Sequence, residues 1–121
     1  MNKKIVQRVG NVVSVRILDR MMDRRTKNLS KMLGKSIAEA KGKIRLLLSI
    51  EVHFPGKSPE TLLESLQFTK VHSDNIDRIA IIGSNESERT IIGLFGLFGG
   101  MNVRYFDKPD VVKAIMWLQE S

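Results

Sequence analysis

Apolar and polar residues alternate near the start of the chain. Residues 5–9 and 12–18 are rich in valine and isoleucine, which favour β-strands. Gly10 and Asn11 separate the two runs, and both residue types tolerate the positive φ that a two-residue hairpin turn requires. We therefore predict an antiparallel hairpin. Its second strand directs Val13, Val15 and Ile17 to one face, and Ser14 and Arg16 to the other.

After this hairpin the apolar residues recur every three or four positions, which predicts an amphipathic helix from Asp19 to about Ala40. Asp19 is a suitable N-cap and Gly42 a suitable stop signal. Gly34 lies inside this helix and lowers its expected stability. The apolar stripe consists of Met22, Leu29, Leu33, Ile37 and Ala40.

Three further apolar runs predict strands over residues 44–50, 79–82 and 101–106. The first contains consecutive leucines, which indicate a strand that is buried on both faces. The second ends at Gly83.

Helices are predicted after each of these strands. Ser58 and Pro59 suit the N-cap and first position of one helix, and Asn85 with Glu88 forms a capping box for a helix over 86–99. The last helix starts within residues 107–110. Its expected packing residues are Val111, Ala114, Ile115 and Leu118.

The predicted order of elements is β-β-α-β-α-β-α-β-α. Strands that alternate with helices indicate an α/β fold with a mostly parallel sheet. No linker or internal repeat divides the sequence, so residues 1–121 are expected to form a single domain.

Four segments in this order resemble the SpoIIAA-like family, whose members share the STAS-type fold. They are residues 42–47 with the following Phe54-Pro55-Gly56, residues 78–83, residues 103–107 and residues 114–118. The resemblance implies a sheet of four or five strands and a noncatalytic role, such as protein recognition or the binding of an apolar ligand. The phosphorylatable serine or threonine signature of anti-sigma-factor antagonists is absent, because Gly56-Lys57-Ser58-Pro59 stands in its place.

Composition limits the chemistry further. The chain has no cysteine, which excludes disulfides and thiolate sites and makes a cytoplasmic location the default expectation. Its basic N-terminus lacks the apolar core of a signal peptide, and the apolar stretch 91–100 is too short to span a bilayer.

No catalytic, metal-binding or cofactor-binding group is predicted. His53 and His72 are not spaced as zinc ligands, and no nucleophile motif surrounds Ser58. The glycines between 93 and 100 match no phosphate-binding loop. They leave Phe95 and Phe98 either in the core or in an apolar groove that would take a lipid or contact a second copy in a homodimer.

The first helix carries a cationic stripe opposite its apolar one. This stripe is either a solvated face or an attraction site for an acidic protein, an anionic membrane or, least favoured, nucleic acid. Residues 1–45 hold 13 lysines and arginines against 3 acids, a net charge of +10. The stripe consists of Arg20, Arg24, Lys27, Lys31 and Lys35.

A ligand site in a parallel sheet is expected at the carboxyl ends of its strands. Here the carboxyl ends lead into the loop 53–58, the turn after residue 83 and the start of the last helix near Asp107. The candidate binding residues there are His53, Phe54, Gly56, Lys57, Ser58, Ser84 and Asn85. The sequence thus predicts a binding module for a partner protein or a small apolar or anionic ligand, with lipid or membrane-surface binding as the alternative.

Overall fold

The computed structural model describes residues 6–18, 26–40, 42–51, 69, 72–83 and 102–120. Within these residues the elements are β1 (Val6–Val9), β2 (Val12–Leu18), α1 (Thr26–Ala40), β3 (Ile44–Glu51), β4 (Ile76–Gly83), β5 (Asn102–Asp107) and α2 (Val111–Gln119). Short 3-10 turns precede β4, at Ser73–Asn75, and α2, at Lys108–Asp110.

The first two strands form the predicted hairpin. Val9 pairs with Val12 across the turn, and Gly10 has a φ of +62°, as a two-residue turn of this kind needs at its first position. Val13 and Val15 are fully buried on one face, as the alternation predicts. The backbone N–H of Arg45 donates to the carbonyl of Asn11, which ties the turn to β3.

The sheet has five strands in the order β1-β2-β3-β4-β5. β1 is antiparallel to β2, and the other neighbouring pairs are parallel. The prediction of a mostly parallel α/β sheet is therefore confirmed. β3 lies at the centre, which explains why its leucine run, Leu46, Leu47 and Leu48, is buried on both faces.

One face of the sheet carries its largest apolar layer. Register places Val13 and Val15 beside Leu46 and Leu48, and these beside Ile79 and Ile81. Arg8 points to the same face and forms an ion pair with Glu39 of α1, so α1 covers this side. Leu33 of α1 is fully buried, as the helical stripe predicts.

The opposite face is covered by α2. Ala114, Trp117 and Leu118 of this helix form a buried cluster with Leu47, Ala80 and Ile82, and Val12, Phe106 and Ile115 pack around it.

Two predictions need correction, one about where a strand begins and one about which residue packs against the sheet. β4 begins at Ile76 rather than 79, because Ile76 is buried immediately after the preceding 3-10 turn. Val111 is predicted to pack against the sheet but is 36% exposed, because it is the first residue of α2 and precedes the packed turn by three positions.

Other predicted elements lie partly or wholly outside the described residues. These are the helix start at Asp19, the helix predicted to begin at Ser58 and the helix predicted over 86–99. Between Ser58 and residue 71 the structure describes Thr69 alone, which is helical and fully buried. α1 does end at Ala40, and Gly42 follows with a φ of +151°, a conformation that favours glycine.

The central strand should dominate the stability of the fold. We expect Leu48→Ala to lower the free energy of unfolding by about 2–5 kcal/mol, because it leaves a cavity in a fully buried layer. Met116→Ala is the control, since Met116 is 63% exposed and should change stability by less than about 0.5 kcal/mol. Urea denaturation of both variants measures the difference, and equal losses would contradict this packing.

Candidate binding surface

The described part of the cationic stripe lies on the exposed side of α1. Lys31 and Lys35 are both exposed and stand one helical turn apart. Arg20, Arg24 and the side chain of Lys27 lie outside what the structure describes, so their place in the stripe stays a prediction. Exposure of Lys31 and Lys35 leaves both charges available to a partner.

A groove of about 570 Å³ separates α1 from β1. Its lining combines apolar, basic and acidic side chains: Val6, Gln7, Arg8, Met32, Lys35, Ser36 and Glu39. Met32 is 41% exposed and gives the groove an accessible apolar side chain. Arg8 spans the groove, with its Nε 3.7 Å from Oε2 of Glu39 and its Nη1 donating to the carbonyl of Gly10 at 2.7 Å. We call this groove with Lys31 the β1–α1 surface.

The candidate residues of the strand-end loops fall outside the described residues. The structure does bring the ends of the parallel strands together, since Leu18 pairs with Glu51 and Gly83 with Asp107. The segments that follow these ends therefore start at one edge of the sheet. The binding roles stay predictions for His53, Phe54, Gly56, Lys57, Ser58, Ser84, Asn85, Phe95 and Phe98.

Four arginines on the α2 face form a feature that the sequence analysis missed. β2, β3, β4 and β5 contribute one each, at strand positions that share a face with Leu47 and Ala80. They are Arg16, Arg45, Arg78 and Arg104. The only sequence signal is a basic residue within each apolar strand, and their common face becomes visible only with the register.

Two of these arginines bind the end of α2. Arg45 Nη1 donates to the carbonyls of Leu118 and Glu120, and Arg78 Nη1 donates to the carbonyl of Trp117 at 2.6 Å. The last carbonyls of a helix lack intrahelical partners and carry partial negative charge, so guanidinium groups stabilise them.

A bulge in β4 brings an acidic residue to the same place. Ile44 pairs with Ile76 and Arg45 with Arg78, which leaves Asp77 as an extra residue between them. Asp77 Oδ2 lies 3.1 Å from Nε of Arg45 and 4.0 Å from Nε of Arg78. One carboxylate thus orients both arginines.

Trp117 lies at the centre of this arrangement. The guanidinium carbons of Arg78 and Arg104 are each 5.6 Å from its ring centroid, and Phe106 packs against it at 6.0 Å. Contacts of this kind add cation–π attraction to the burial of the indole. Arg104 also lies 5.6 Å from the ring of Phe106.

Arg16 has a different role. Its Nε and Nη2 donate to both carboxylate oxygens of Glu51, at 2.7 and 2.8 Å. This hydrogen bonding raises the pKa of Arg16 above its ordinary value, with a smaller coulombic contribution from Glu51 that desolvation opposes. The pair links the carboxyl ends of β2 and β3.

His72 packs against α1. Its Cε1 would lie 3.3 Å from a Cβ added at Gly34, so glycine allows this close approach. Gly34 lowers the expected stability of the helix but allows His72 to pack closely against it. α1 continues through Gly34.

Among the described residues, no three His, Cys, Asp or Glu side chains are grouped so that they could hold a metal ion. No helix in the described part of the chain is both long and apolar enough to cross a membrane.

The sheet order, its one antiparallel edge strand and the helices on both faces define a mixed α/β protein of the predicted class. The sequence profile of the SpoIIAA-like family matches residues 12–119, so the chain belongs to the SpoIIAA-like family, as the resemblance predicts. No curated protein and no solved structure matches the chain.

Trp117 is the chain's single tryptophan, so its fluorescence reports on how α2 packs against the sheet. We expect Arg78→Ala to shift the emission to longer wavelength and to destabilise the fold by about 1–3 kcal/mol, because a charged hydrogen bond to a helix carbonyl is lost. Arg16→Ala removes an arginine from the same face without touching Trp117 and should leave the emission unchanged. An unshifted Arg78→Ala spectrum would contradict the arrangement.

Proposed function

We propose that this protein is a noncatalytic binding module that recognises an acidic region of a partner protein through its β1–α1 surface. Membership of the SpoIIAA-like family supports a regulatory or binding role. The observation that carries the proposal is the pair of exposed lysines, Lys31 and Lys35, beside the groove.

Charge distribution supports an acidic partner. The first 45 residues carry a net charge of +10, whereas the remaining 76 carry 7 basic and 10 acidic residues. Exposed charges of one sign attract an oppositely charged partner and raise its association rate. Glu39 is the one acid among the residues that line the groove, and it is already paired with Arg8.

The double variant Lys31→Glu/Lys35→Glu tests this proposal. Partner proteins recovered from the source cells on the immobilised wild-type chain should be lost from the double variant, and raising the salt concentration should weaken their capture. Lys108→Glu/Lys113→Glu changes the net charge equally at exposed positions outside the β1–α1 surface, and should retain them.

Carbodiimide coupling identifies the contact directly, because it joins lysine amines to carboxylates that touch them. Mass spectrometry should find partner carboxylates joined to Lys31 or Lys35. Capture that the double variant retains in full, or coupling confined to Lys108 and Lys113, would contradict the proposal.

A lipid- or membrane-surface-binding role is the second candidate. Met32 favours it, because this exposed apolar side chain lies one helical turn from Lys35 on the surface of α1. One such residue gives little apolar area for insertion into a bilayer.

Vesicle sedimentation separates the two functions. If the partner is a protein, the chain should stay in the supernatant with phosphatidylserine vesicles at about 150 mM salt, where surface attraction is screened beyond about 8 Å. Native mass spectrometry should also show the bare chain. Sedimentation at that salt, abolished in Lys31→Glu/Lys35→Glu, or a retained lipid would favour the second candidate.

A further inference from the structure

β1 lies at one edge of the sheet and pairs with β2 alone among the described strands. Val9 and Val12 flank a two-residue turn and are therefore a hydrogen-bonded pair, as are Gln7 and Ser14 two residues on. The backbone N–H and C=O groups of Val6 and Arg8 alternate with these and point away from β2. They form a template for one more strand.

The side chains of the same two residues point to the α1 face, where the groove begins. A strand added beside β1 would extend the sheet by one strand on the side where the groove separates β1 from α1. Its side chains opposite Val6 and Arg8 would then face Met32 and Lys35. The outward backbone groups of β1 and the groove therefore belong to the same surface.

We propose that β1 accepts an extended, acidic segment of a partner protein as a sixth strand. On the side of this segment that faces the groove, an apolar side chain lies over Val6 and Met32, and a carboxylate two residues along the strand faces Arg8 and Lys35. The inference rests on the proposed function and specifies how the acidic partner binds. Main-chain hydrogen bonds supply affinity in this mode, and side-chain pockets supply specificity.

Charge favours a different protein over a second copy of this chain. Antiparallel pairing of two β1 strands would bring two Lys35 side chains into one interface, whereas Arg8 is already paired with Glu39, and unpaired like charges in a pairing interface are unfavourable. β1 has only four residues and carries Arg8, and short or charged edge strands resist pairing with copies of themselves.

Two substitutions at one position separate the backbone from the charge. Arg8→Pro removes the outward N–H and the positive charge, whereas Arg8→Thr removes the same charge and keeps the N–H. Both leave the pairs that hold β1 to β2. Thermal unfolding and Trp117 fluorescence check that each variant is folded.

The experiment is a display selection of random ten-residue peptides on the full wild-type chain. We expect the enriched peptides to carry an apolar and an acidic residue two positions apart, so that both side chains face the groove. Arg8→Pro should weaken their binding by about tenfold more than Arg8→Thr does, the factor that corresponds to one hydrogen bond of about 1.4 kcal/mol. Lys35→Glu should also weaken it by about tenfold, and Lys113→Glu by less than about twofold.

Several results would overturn the inference. Peptides without an acidic bias would do so, as would the absence of any peptide that prefers wild type to Arg8→Pro. If Arg8→Pro does not fold, the inference is also overturned when Lys35→Glu and Lys113→Glu weaken peptide binding equally. A wild-type dimer in sedimentation that Arg8→Pro makes monomeric would assign the edge to a second copy instead.

The outcomes also separate this inference from the proposed function. Acidic peptides that lose affinity on Lys31→Glu/Lys35→Glu but bind Arg8→Pro and Arg8→Thr equally would refute strand addition while leaving acidic recognition intact. Capture that survives the double lysine variant would refute both.

Discussion

The burial of β3 on both faces is the constraint on which the rest of the structure depends. Its leucine run can be removed from water only if each side of the sheet is covered. α1 lies on one side, and α2 returns from β5 across the other to bury Leu47 beneath Trp117 and Leu118. α2 has only nine residues, so its position depends on contacts beyond its own helical hydrogen bonds. Arg45 and Arg78 supply them by binding its last carbonyls.

The two sides of the sheet consequently differ in character. On the α2 side the strand arginines are engaged within the protein, as Arg16 is with Glu51 and Arg45 with Asp77. Around α1, Lys31 and Lys35 remain exposed and a groove stays open beside β1. The proposals concern the β1–α1 surface because its lysines are exposed, whereas the strand arginines already have partners within the protein.

Residue type and spacing were enough to predict the elements that depend on neighbouring residues along the chain. The Gly10–Asn11 turn, the buried leucines of β3 and the end of α1 before Gly42 all follow from residue type and spacing. The common face of the arginines does not, because it depends on the parallel register and on the bulge at Asp77. The groove likewise depends on where α1 lies over β1, which no single segment encodes. The candidate residues at the strand ends, such as Lys57 and Asn85, lie outside the described residues and stay predictions.

Amide hydrogen exchange, measured by NMR with an acidic peptide bound, tests the central claim most directly. The account predicts that the Arg8 amide, which faces the free edge, exchanges rapidly alone and becomes protected in the complex. The Gln7 amide, already bonded to β2, is its internal control and should change much less. Protection confined to residues 53–58 or 84–85, with Arg8 unchanged, would contradict the account and assign binding to the strand-end loops.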